Sequence, residues 1–456
     1  MRRVVKVSRI RIVMTIIVVI FVTLLTGCTG KEPNEIAYVV ALGIDSTDDD
    51  NYKITIQYAN TTQISGGASE SGGKAGSEIV DNVTIEAPNI YAGVGLANNI
   101  VSKSFSMSHA KLIVFSKEIA EKGVKDMIET LVRSEEIRPD VFIAVANTTA
   151  NDYLTAVNPE MEVNPAQYYQ LIYQKNQLVG IPDGQLREFF TGLYTDNYDS
   201  ILPIAGVIEE SGGNSQNDDK GQSKDSQNEG SEGSSESLDS FESKSSNEKD
   251  ENEKEKDAEK NTSKYEYDIK NYVGGETAIE KKNKAEAIGA AVFEKDKMVG
   301  ELGEVETEIC KMLKGDYTYS YLTYYNNDTP DIPITVKTTQ QKKPKYKIDT
   351  DKKTVDIELY IESDLYSLPA DYNVENKIED FERDVANYTS SACTEFINNF
   401  TKKYNSDILK LNEKIKYKFL TNNQYNWFKK NVGWSEYKFS VCTNFKVRRT
   451  GLIVRE

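Results

Sequence analysis

Residues 374–403 read VENKIEDFERDVANYTSSACTEFINNFTKK and carry the clearest periodic signal in the chain. Apolar side chains recur there at steps of three or four residues, so they would share one face of a helix. These side chains are Val374, Ile378, Phe381, Val385, Tyr388, Ala392, Phe396 and Phe400. The polar face mixes both signs of charge, unlike a membrane-surface helix. The pattern therefore predicts one long amphipathic helix packed against a sheet, in preference to a membrane-binding or partner-binding helix.

Strand-forming runs and a shorter helix surround this long helix. Residues 286–293 and 298–302 flank the turn Glu294-Lys295-Asp296-Lys297, which predicts a hairpin. Residues 304–313 indicate a helix that should end at Gly315. Further strands are expected at 317–325, 332–339, 343–348, 354–363 and 437–447. Together these elements predict a C-terminal α+β domain over residues 285–456.

The first half of the chain alternates strands with helices. Residues 36–45 and 52–58 are β-rich and are separated by acidic turn residues, which predicts a hairpin. Further strands are expected at 78–87, 111–115 and 140–146, with helices at 89–103, at 119–132 and between 167 and 193. This interleaving predicts an N-terminal α/β region of one or two small domains over residues 35–207.

The predicted fold class of the whole chain is α+β. We expect mixed, mainly antiparallel sheets with packed helices in two to three domains, the C-terminal one a sheet against one long helix.

Residues 208–284 are predicted to be an acidic, disordered insertion. From Glu209 to Thr262 the only apolar residues are Leu238, Phe241 and Ala258. So few apolar side chains cannot offset the roughly 1–2 kcal/mol per residue that backbone ordering requires. A tolerated surface insertion and a segment that folds on binding both remain open.

The amino terminus has the pattern of a secretory signal. Five basic residues within positions 1–11 precede an uncharged apolar run, residues 12–25, which is shorter than the roughly twenty residues of a membrane-spanning helix. Leu25-Thr26-Gly27-Cys28 then resembles a bacterial lipobox. This predicts a signal peptide over 1–27, a lipidated anchor segment over 28–34, and attachment of acyl chains such as palmitate at Cys28. The alternative is an uncleaved membrane helix.

The net charge of the chain argues against nucleic acid as a partner, and the cysteine content leaves two states of the thiols open. Removal of the five basic side chains of residues 1–11 takes the formal net charge from −17 to −22. So acidic a chain is a poor partner for nucleic acid, which should repel it.

Besides Cys28 the chain contains Cys310, Cys393 and Cys442. One disulfide with a thiol left over and three small buried side chains are both compatible with this number.

Motifs for catalysis and for cofactor binding are missing from the sequence. The chain has a single histidine, His109, flanked by Ser106 and Ser108, and it contains no Gly-x-Ser-x-Gly, P-loop, His-Glu-x-x-His or Cys-x-x-Cys pattern. Residues 48–50 are three aspartates without the spaced ligands of a calcium loop, so a solvated turn is expected. We therefore predict no catalytic residue, no cofactor and no metal site, and a protein that is not an enzyme.

Several segments, taken in order, resemble the Ger(x)C family of spore-germination lipoproteins. In the first half they are the lipobox at Cys28, the strand Glu35–Asp45, the strand Ser108–Val114 and the arginine-bearing stretch Leu131–Pro139. In the second half they are Ala290–Phe293, Met298–Gly300, Trp427, Trp434 and Arg448–Gly451. The resemblance covers nearly the whole mature chain except the acidic insertion.

The resemblance implies a subunit of a nutrient germinant receptor without catalytic residues. Such a protein would be held by its lipid on the outer face of the cytoplasmic membrane, which is the inner membrane of the spore, and would contact the A- and B-type membrane subunits. The alternative is an extracytoplasmic solute-binding lipoprotein of a transport system, which usually needs two similar lobes around a cleft. An extracellular hydrolase ranks third because the chain has one histidine.

Overall fold

The structure is a computed structural model. It describes residues 13–18, 35–49, 51–59, 80–159, 164–174, 180–195, 197–208, 271–277, 283–325, 333–367, 377–404 and 406–450. Cys28, Asp50 and residues 209–270 of the predicted insertion lie outside these ranges.

Nine of the described strands form the first sheet. They are β1 (Ile36–Ser46), β2 (Tyr52–Ala59), β3 (Val80–Ala87), β4 (Ser104–Ser106), β5 (Leu112–Ser116), β6 (Phe142–Ala146), β7 (Ile201–Val207), β8 (Ala285–Glu294) and β9 (Lys297–Leu302). Their order across the sheet is β3-β2-β1-β5-β6-β7-β8-β9, with β4 beside β1. The central strands β1, β5, β6 and β7 are parallel, whereas antiparallel hairpins form both flanks. Because every residue of β5 and β6 is buried, these strands suit a sheet covered on both faces.

Six helices of the first half cover the two faces of this sheet. They are α1 (Ile90–Ala97), α2 (Lys117–Lys122), α3 (Lys125–Val132), α4 (Ala150–Ala156), α5 (Pro165–Gln174) and α6 (Leu186–Thr195). Side chains of α1, α2, α3 and α6 share one core with the face of β1 that carries Leu42 and Ile44. Side chains of α4 and α5 share a second core with the opposite face of β1, which carries Val40 and Ala41.

The end of β1 and the start of α4 fit closely together. Asp45 is 4 % exposed, and its carboxylate accepts the backbone N–H groups of Ala150 at 2.6 Å and Asn151 at 3.0 Å. These are amide groups that the first turn of a helix leaves without a partner, so the carboxylate stabilises the start of α4. A Cβ on Gly43 would stand 3.0 Å from Leu154 Cδ1, so glycine lets α4 approach the strand.

The second sheet contains the remaining described strands. They are β10 (Tyr319–Tyr325), β11 (Pro333–Gln340), β12 (Lys345–Asp349), β13 (Thr354–Ser367) and β14 (Lys438–Arg449). Strand β13 pairs antiparallel with β11 and β12 and parallel with β14. The helices of this half are α7 (Glu304–Lys314), α8 (Ile378–Lys403), α9 (Leu411–Ile415) and α10 (Asn422–Asn431).

Helix α8 closes the outer edge of β14 with polar side chains spaced four residues apart. Ser390 Oγ accepts the backbone N–H of Thr443 at 2.9 Å, and Thr394 Oγ1 accepts that of Val441 at 3.0 Å. The side chain of Asn398 accepts from Phe439 N at 3.1 Å and donates to Phe439 O at 2.9 Å. One turn of helix advances about as far as two strand residues, so a four-residue spacing can meet every second residue of a strand. An edge that would otherwise be open to another strand is thereby covered.

The α+β fold class and its main local elements are confirmed. The hairpin β1–β2, the hairpin β8–β9, the helix that ends one residue before Gly315 and the long helix α8 agree with the expectation. The predicted helix 119–132 is two helices, because Gly123 adopts a φ of 125° and Val124 N–H donates to Asp296 O at 3.0 Å. The predicted helix 89–103 ends at Ala97 and is followed by β4. No helix in the described ranges has both the length and the apolar character needed to cross a bilayer.

The predicted insertion lies between two paired strands of the first sheet. Val207 faces Ala285 across the β7–β8 pair, and Ile208 N–H donates to Lys284 O at 2.9 Å. Residues 271–277, inside the predicted insertion, contact this sheet, since Gly274 N–H donates to Ile288 O at 3.0 Å and Asn147 Nδ2 donates to Gly274 O at 2.7 Å. The first sheet also continues past the predicted start of the C-terminal domain, because β8 and β9 belong to it.

Candidate interaction surface

Three connecting segments lie together at the end of the first sheet where its parallel strands begin. Because β1, β5, β6 and β7 run in the same direction, the residues that precede them share this end. The segments are residues 106–111 before β5, residues 133–141 before β6, and residues 195 and 197–200 before β7. We call these segments, together with Glu35 before β1, the amino-end rim. Two of the segments that resemble the germination family, at Ser108–Val114 and Leu131–Pro139, meet on this rim.

A carboxylate joins the first two segments of the rim. Residues Met107–His109 form a 3-10 turn, and Met107 N–H donates to Glu136 Oε2 at 2.6 Å. The loop that carries Glu136 is itself fixed, because Ser134 Oγ accepts the N–H groups of Glu136 and Ile137, both at 3.2 Å. Ile137 is buried in the core below. Glu136 therefore couples the histidine turn to the arginine-bearing loop.

An open cleft of about 520 Å³ lies beside this junction, and Tyr91, Thr130, Arg133, Ser134, Glu135 and Glu136 line it. Arg133 Nη2 pairs with Glu129 at 3.0 Å, and Tyr194 O–H donates to the same carboxylate. The hydrogen bond to Glu129 is the largest cause of a raised Tyr194 pKa. The cleft therefore presents an arginine, two glutamates and a tyrosine ring to solvent, which suits contact with a polar protein surface.

Arg138 belongs to the same loop, and its guanidinium group forms two hydrogen bonds with the carboxylate of Asp140. Nε meets Oδ1 at 2.9 Å and Nη2 meets Oδ2 at 3.0 Å, with the side chains 60 % and 51 % exposed. The hydrogen bond from Arg138 holds the pKa of Asp140 below its ordinary value. Water and salt screen exposed pairs of this kind. The pair therefore adds little to the stability of the fold, and its guanidinium group is accessible to a partner.

His109 lies on the rim with a packing role. Its ring meets the edge of the Tyr38 ring with centroids 4.8 Å apart, and the side chain is exposed. The hydroxyl groups of Ser106 and Ser108 hydrogen-bond each other at 2.9 Å. Ser106 Oγ also accepts Ser108 N–H as the cap of the turn. These contacts position the turn, and they do not arrange the two serines and His109 as a nucleophile and base.

The remaining residues singled out from the sequence lie apart from the rim junction. Cys310 and Cys393 are buried, Cys442 is exposed, and all three are free thiols. Trp434 is buried and donates its Nε1–H to Asn412 Oδ1 at 3.2 Å, whereas Trp427 is 64 % exposed. Arg448 pairs with Glu362 at 3.0 Å on the second sheet. Cys28 lies outside the described residues, so its lipidation stays a prediction.

Sequence reasoning missed the roles of Glu136 and Asp45. Both carboxylates accept backbone N–H groups from segments that are remote in the chain. The one local signal was the aspartate that ends the apolar run of β1, since an acidic residue at the end of a buried strand needs a partner. For Glu136 the sequence offered no comparable signal, because it stands among charged and polar residues, Arg133, Ser134 and Glu135, of a turn outside the predicted strands.

Comparison with known proteins gives matches along both halves of the chain. The family described as spore germination protein N-terminal domain matches residues 30–207. The family described as spore germination B3/GerAC like, C-terminal, matches residues 288–451. Spore germination protein KC of Bacillus subtilis (strain 168) is 27 % identical over 173 residues, which cover 35 % of this chain and 42 % of that protein.

One further curated protein and one solved structure are also similar to this chain. The putative spore germination protein YfkR of the same organism is 28 % identical over 145 residues, which cover 32 % of this chain and 37 % of that protein. The matches thus span less than half the length of either curated relative. A solved structure, described as the crystal structure of the GerBC protein, is similar with a TM-score of 0.47 and 15 % identity, over 89 % of this chain and 96 % of that one. Because the two family matches together cover most of its length, this chain belongs to the Ger(x)C family of spore germination proteins.

Proposed function

We propose that this protein is a membrane-anchored lipoprotein subunit of a nutrient germinant receptor, and that it supports spore germination through protein–protein contacts rather than through catalysis. The observation that carries the proposal is the family membership of both halves of the chain. Its partners would be the A- and B-type membrane subunits of the receptor. It would lie on the outer face of the cytoplasmic membrane, which becomes the inner membrane of the spore.

The lipobox supports the anchoring part of this proposal. Transfer of a diacylglycerol to the Cys28 thiol, cleavage before Cys28 and acylation of the freed amine would leave two or more acyl chains on the amino end of the mature chain. Two chains hold a protein on a bilayer far more firmly than one, at about 0.8 kcal/mol per buried methylene group. Replacement of Cys28 by alanine should therefore abolish lipid labelling and release of the signal peptide.

The amino-end rim supports the part of the proposal that concerns contacts. Segments that resemble the family converge there and expose arginine and glutamate side chains whose pairs contribute little to folding, and Tyr91 of α1 lines the cleft beside them. Arginine and tyrosine are enriched among residues that carry binding energy at interfaces. Arg138 is therefore the residue of this rim that we expect to contribute most to partner contact.

The decisive experiment compares two arginines with matched environments. Arg138→Ala should leave the melting temperature and lipid labelling unchanged, yet lower the yield of receptor subunits that co-purify from spore membranes by about tenfold. Arg383→Ala is the control, because Arg383 is 63 % exposed and pairs with Asp380 at 2.6 Å on α8, away from the rim. Equal co-purification for both variants would remove the rim from the proposal.

A deletion strain tests the function as a whole. Loss of nutrient-triggered germination with normal growth supports a receptor subunit, whereas a defect in nutrient uptake with normal germination contradicts it. Incubation of the purified protein with amino acids and sugars adds a second measurement. Tight binding by the isolated chain would indicate a solute-binding protein instead.

A further inference from the structure

Residues 410–430 form a locally basic segment in an acidic protein. They contain Lys410, Lys414, Lys416, Lys418, Lys429 and Lys430, with Glu413 as the one acidic residue, whereas the whole chain has a formal net charge of −17. Lys410 is paired with Glu188 at 2.6 Å. Lys416, Lys418 and Lys430 are exposed. A surface with this charge attracts anions that the rest of the chain repels.

The same segment exposes large apolar side chains. Leu420 is 94 % exposed, Tyr417 is 79 % exposed and Trp427 is 64 % exposed. Trp427 points away from the core, whereas its helix neighbours Tyr425 and Phe428 are buried. Tryptophan and tyrosine beside lysine are typical of surfaces that lie in the headgroup region of a bilayer. Three large apolar side chains exposed within eleven residues of one segment make that segment a candidate for contact with an interfacial environment.

The segment is held rigidly against the rest of the molecule. The Phe419 ring packs on the rings of Tyr425 and Phe428, with centroids 5.7 and 5.1 Å away. Lys429 Nζ donates to Thr195 O at 3.1 Å, and Tyr425 O–H donates to Asn197 Oδ1 at 3.0 Å. Thr195 and Asn197 belong to the amino-end rim, so this basic, aromatic segment adjoins the rim next to β7.

The predicted lipid anchor enters the fold at this same end of the sheet. Strand β1 begins at Ile36 and runs parallel to β7, with β5 and β6 between them. At about 4.8 Å per strand spacing, β1 and β7 lie roughly 14 Å apart. The seven residues from Cys28 to Asn34 can span at most about 25 Å. A bilayer that holds acyl chains on Cys28 is therefore within reach of the rim and of the segment beside it.

We propose that residues 410–430 form a docking surface for a bilayer that contains anionic lipids, so that the amino-end rim faces the membrane. The proposal rests on the lipidation of Cys28 in the proposed function and adds an orientation to it. Lys416 and Lys430 would lie among lipid phosphates, and Trp427, Tyr417 and Leu420 would enter the headgroup region. Polybasic segments near an anionic surface gain affinity with each lysine.

Fluorescence of Trp427 tests this orientation in the full lipidated chain. The protein is reconstituted into vesicles of phosphatidylcholine with or without phosphatidylglycerol, and acyl-brominated lipid is added as a quencher. The chain has two tryptophans, and Trp434 is 8 % exposed, so the difference between the native protein and Trp427→Phe isolates the signal of Trp427. We expect a blue shift and quenching in the vesicles that contain phosphatidylglycerol.

Charge reversal supplies the matched controls. Lys416→Glu together with Lys430→Glu should weaken the docking of the segment by at least about 25-fold and so abolish most of the quenching of Trp427, since each lysine near an anionic surface contributes an affinity factor of roughly five. Lys53→Glu is the control, because Lys53 is exposed on β2 and faces Asp45, at the opposite end of β1. It should leave the quenching unchanged.

Each outcome decides between the anchor and the orientation. Protein that floats with the vesicles while Trp427 emits as in water overturns the orientation and leaves the lipid anchor intact. Protein that does not float overturns the anchor and the orientation derived from it. Protection of Trp427 in native spore membranes but not in lipid vesicles assigns the segment to a protein partner and overturns the lipid proposal.

Discussion

Asp199 and Asp407 are joined by two hydrogen bonds, each donated by a backbone N–H group. Asp407 N–H donates to the carboxylate of Asp199 at 2.8 Å, and Asp199 N–H donates to the carbonyl oxygen of Asp407 at 3.2 Å. The second carboxylate oxygen of Asp199 accepts Lys295 N–H at 2.9 Å, so the β8–β9 turn joins the same junction. Asp407 in turn accepts the N–H groups of Leu411 and Asn412, both at 2.8 Å, where α9 begins. The chain before β7 and the chain after α8 are thereby fixed to each other.

This junction should make stability depend on pH. Burial raises the pKa of Asp407 to about 7, above its ordinary value. A raised folded-state pKa gives a contribution to stability that is complete below about pH 4 and is lost as pH rises through 7. We expect the native protein to lose stability relative to Asp407→Asn over that range, by up to about 1.4 kcal/mol per pH unit. Urea denaturation at several pH values measures this difference.

The control for that measurement is Asp351→Asn, which changes an exposed aspartate on the β12–β13 turn. A stability difference between native protein and Asp407→Asn that stays constant from pH 4 to pH 8 would contradict the assignment.

Gly43 should not tolerate a side chain. In Gly43→Ala the new Cβ would stand 3.0 Å from Leu154 Cδ1 and 3.1 Å from Ala150 Cβ, which forces α4 away from the carboxylate of Asp45. Overpacking of this kind destabilises by about 1–3 kcal/mol. Gly95→Ala is the control, because nothing lies within 4 Å of a Cβ at that helical position. It should stabilise by about 0.5–1 kcal/mol. Thermal denaturation of both variants checks the prediction, and equal melting temperatures would refute it.

Asn398 should be more important than its neighbour Asn399. Asn398→Ala removes both hydrogen bonds to Phe439 and leaves a strand edge unsatisfied, at a cost of about 1–3 kcal/mol. Asn399 is exposed one residue further along α8, so Asn399→Ala should be neutral or slightly stabilising. Denaturant unfolding gives the two free energies. If the variants prove equally stable, the side chain does not close the edge of β14.

One of the three thiols of the described residues should react in the folded protein. Cys442 is exposed, whereas burial raises the pKa values of Cys310 and Cys393 to about 12 and keeps their reactive thiolate forms scarce. A maleimide reagent should therefore modify Cys442 alone before unfolding and all three after it. Peptide mapping by mass spectrometry reads the result. Modification of Cys28 in protein extracted from membranes would show that this thiol carries no lipid.

Local patterns in the sequence were sufficient for the hairpins and for α8. The apolar spacing of α8 and the turn residues of the β8–β9 hairpin each lie within one short window. Strand β7 was not foreseen, because Pro203 lies inside it and a proline argues against a central strand. The structure accommodates it with an irregular register between Pro203 and Ala205.

Features that depend on remote segments could not be predicted from the sequence. The parallel centre of the first sheet is set by crossovers whose direction no single window contains. Helix α4 begins at the backbone N–H groups that donate to the carboxylate of Asp45, although more than a hundred residues separate the two segments. The junction of Glu136 with Met107 likewise requires that β5 and β6 are already neighbours. Family resemblance identified these stretches, but the contacts that explain them come from the fold.

The pairing of Val207 with Ala285 determines which changes of length and sequence the segment between them can tolerate. Its two ends emerge from adjacent strands of one sheet, and loop-closure entropy grows only slowly with length, by about 0.6 kcal/mol for each doubling. Lengthening, shortening or exchanging residues 210–270 should therefore leave the surrounding strands paired. A fluorescent domain could be grafted at this position, and the protein could then be followed by microscopy in living cells without a tag at either terminus.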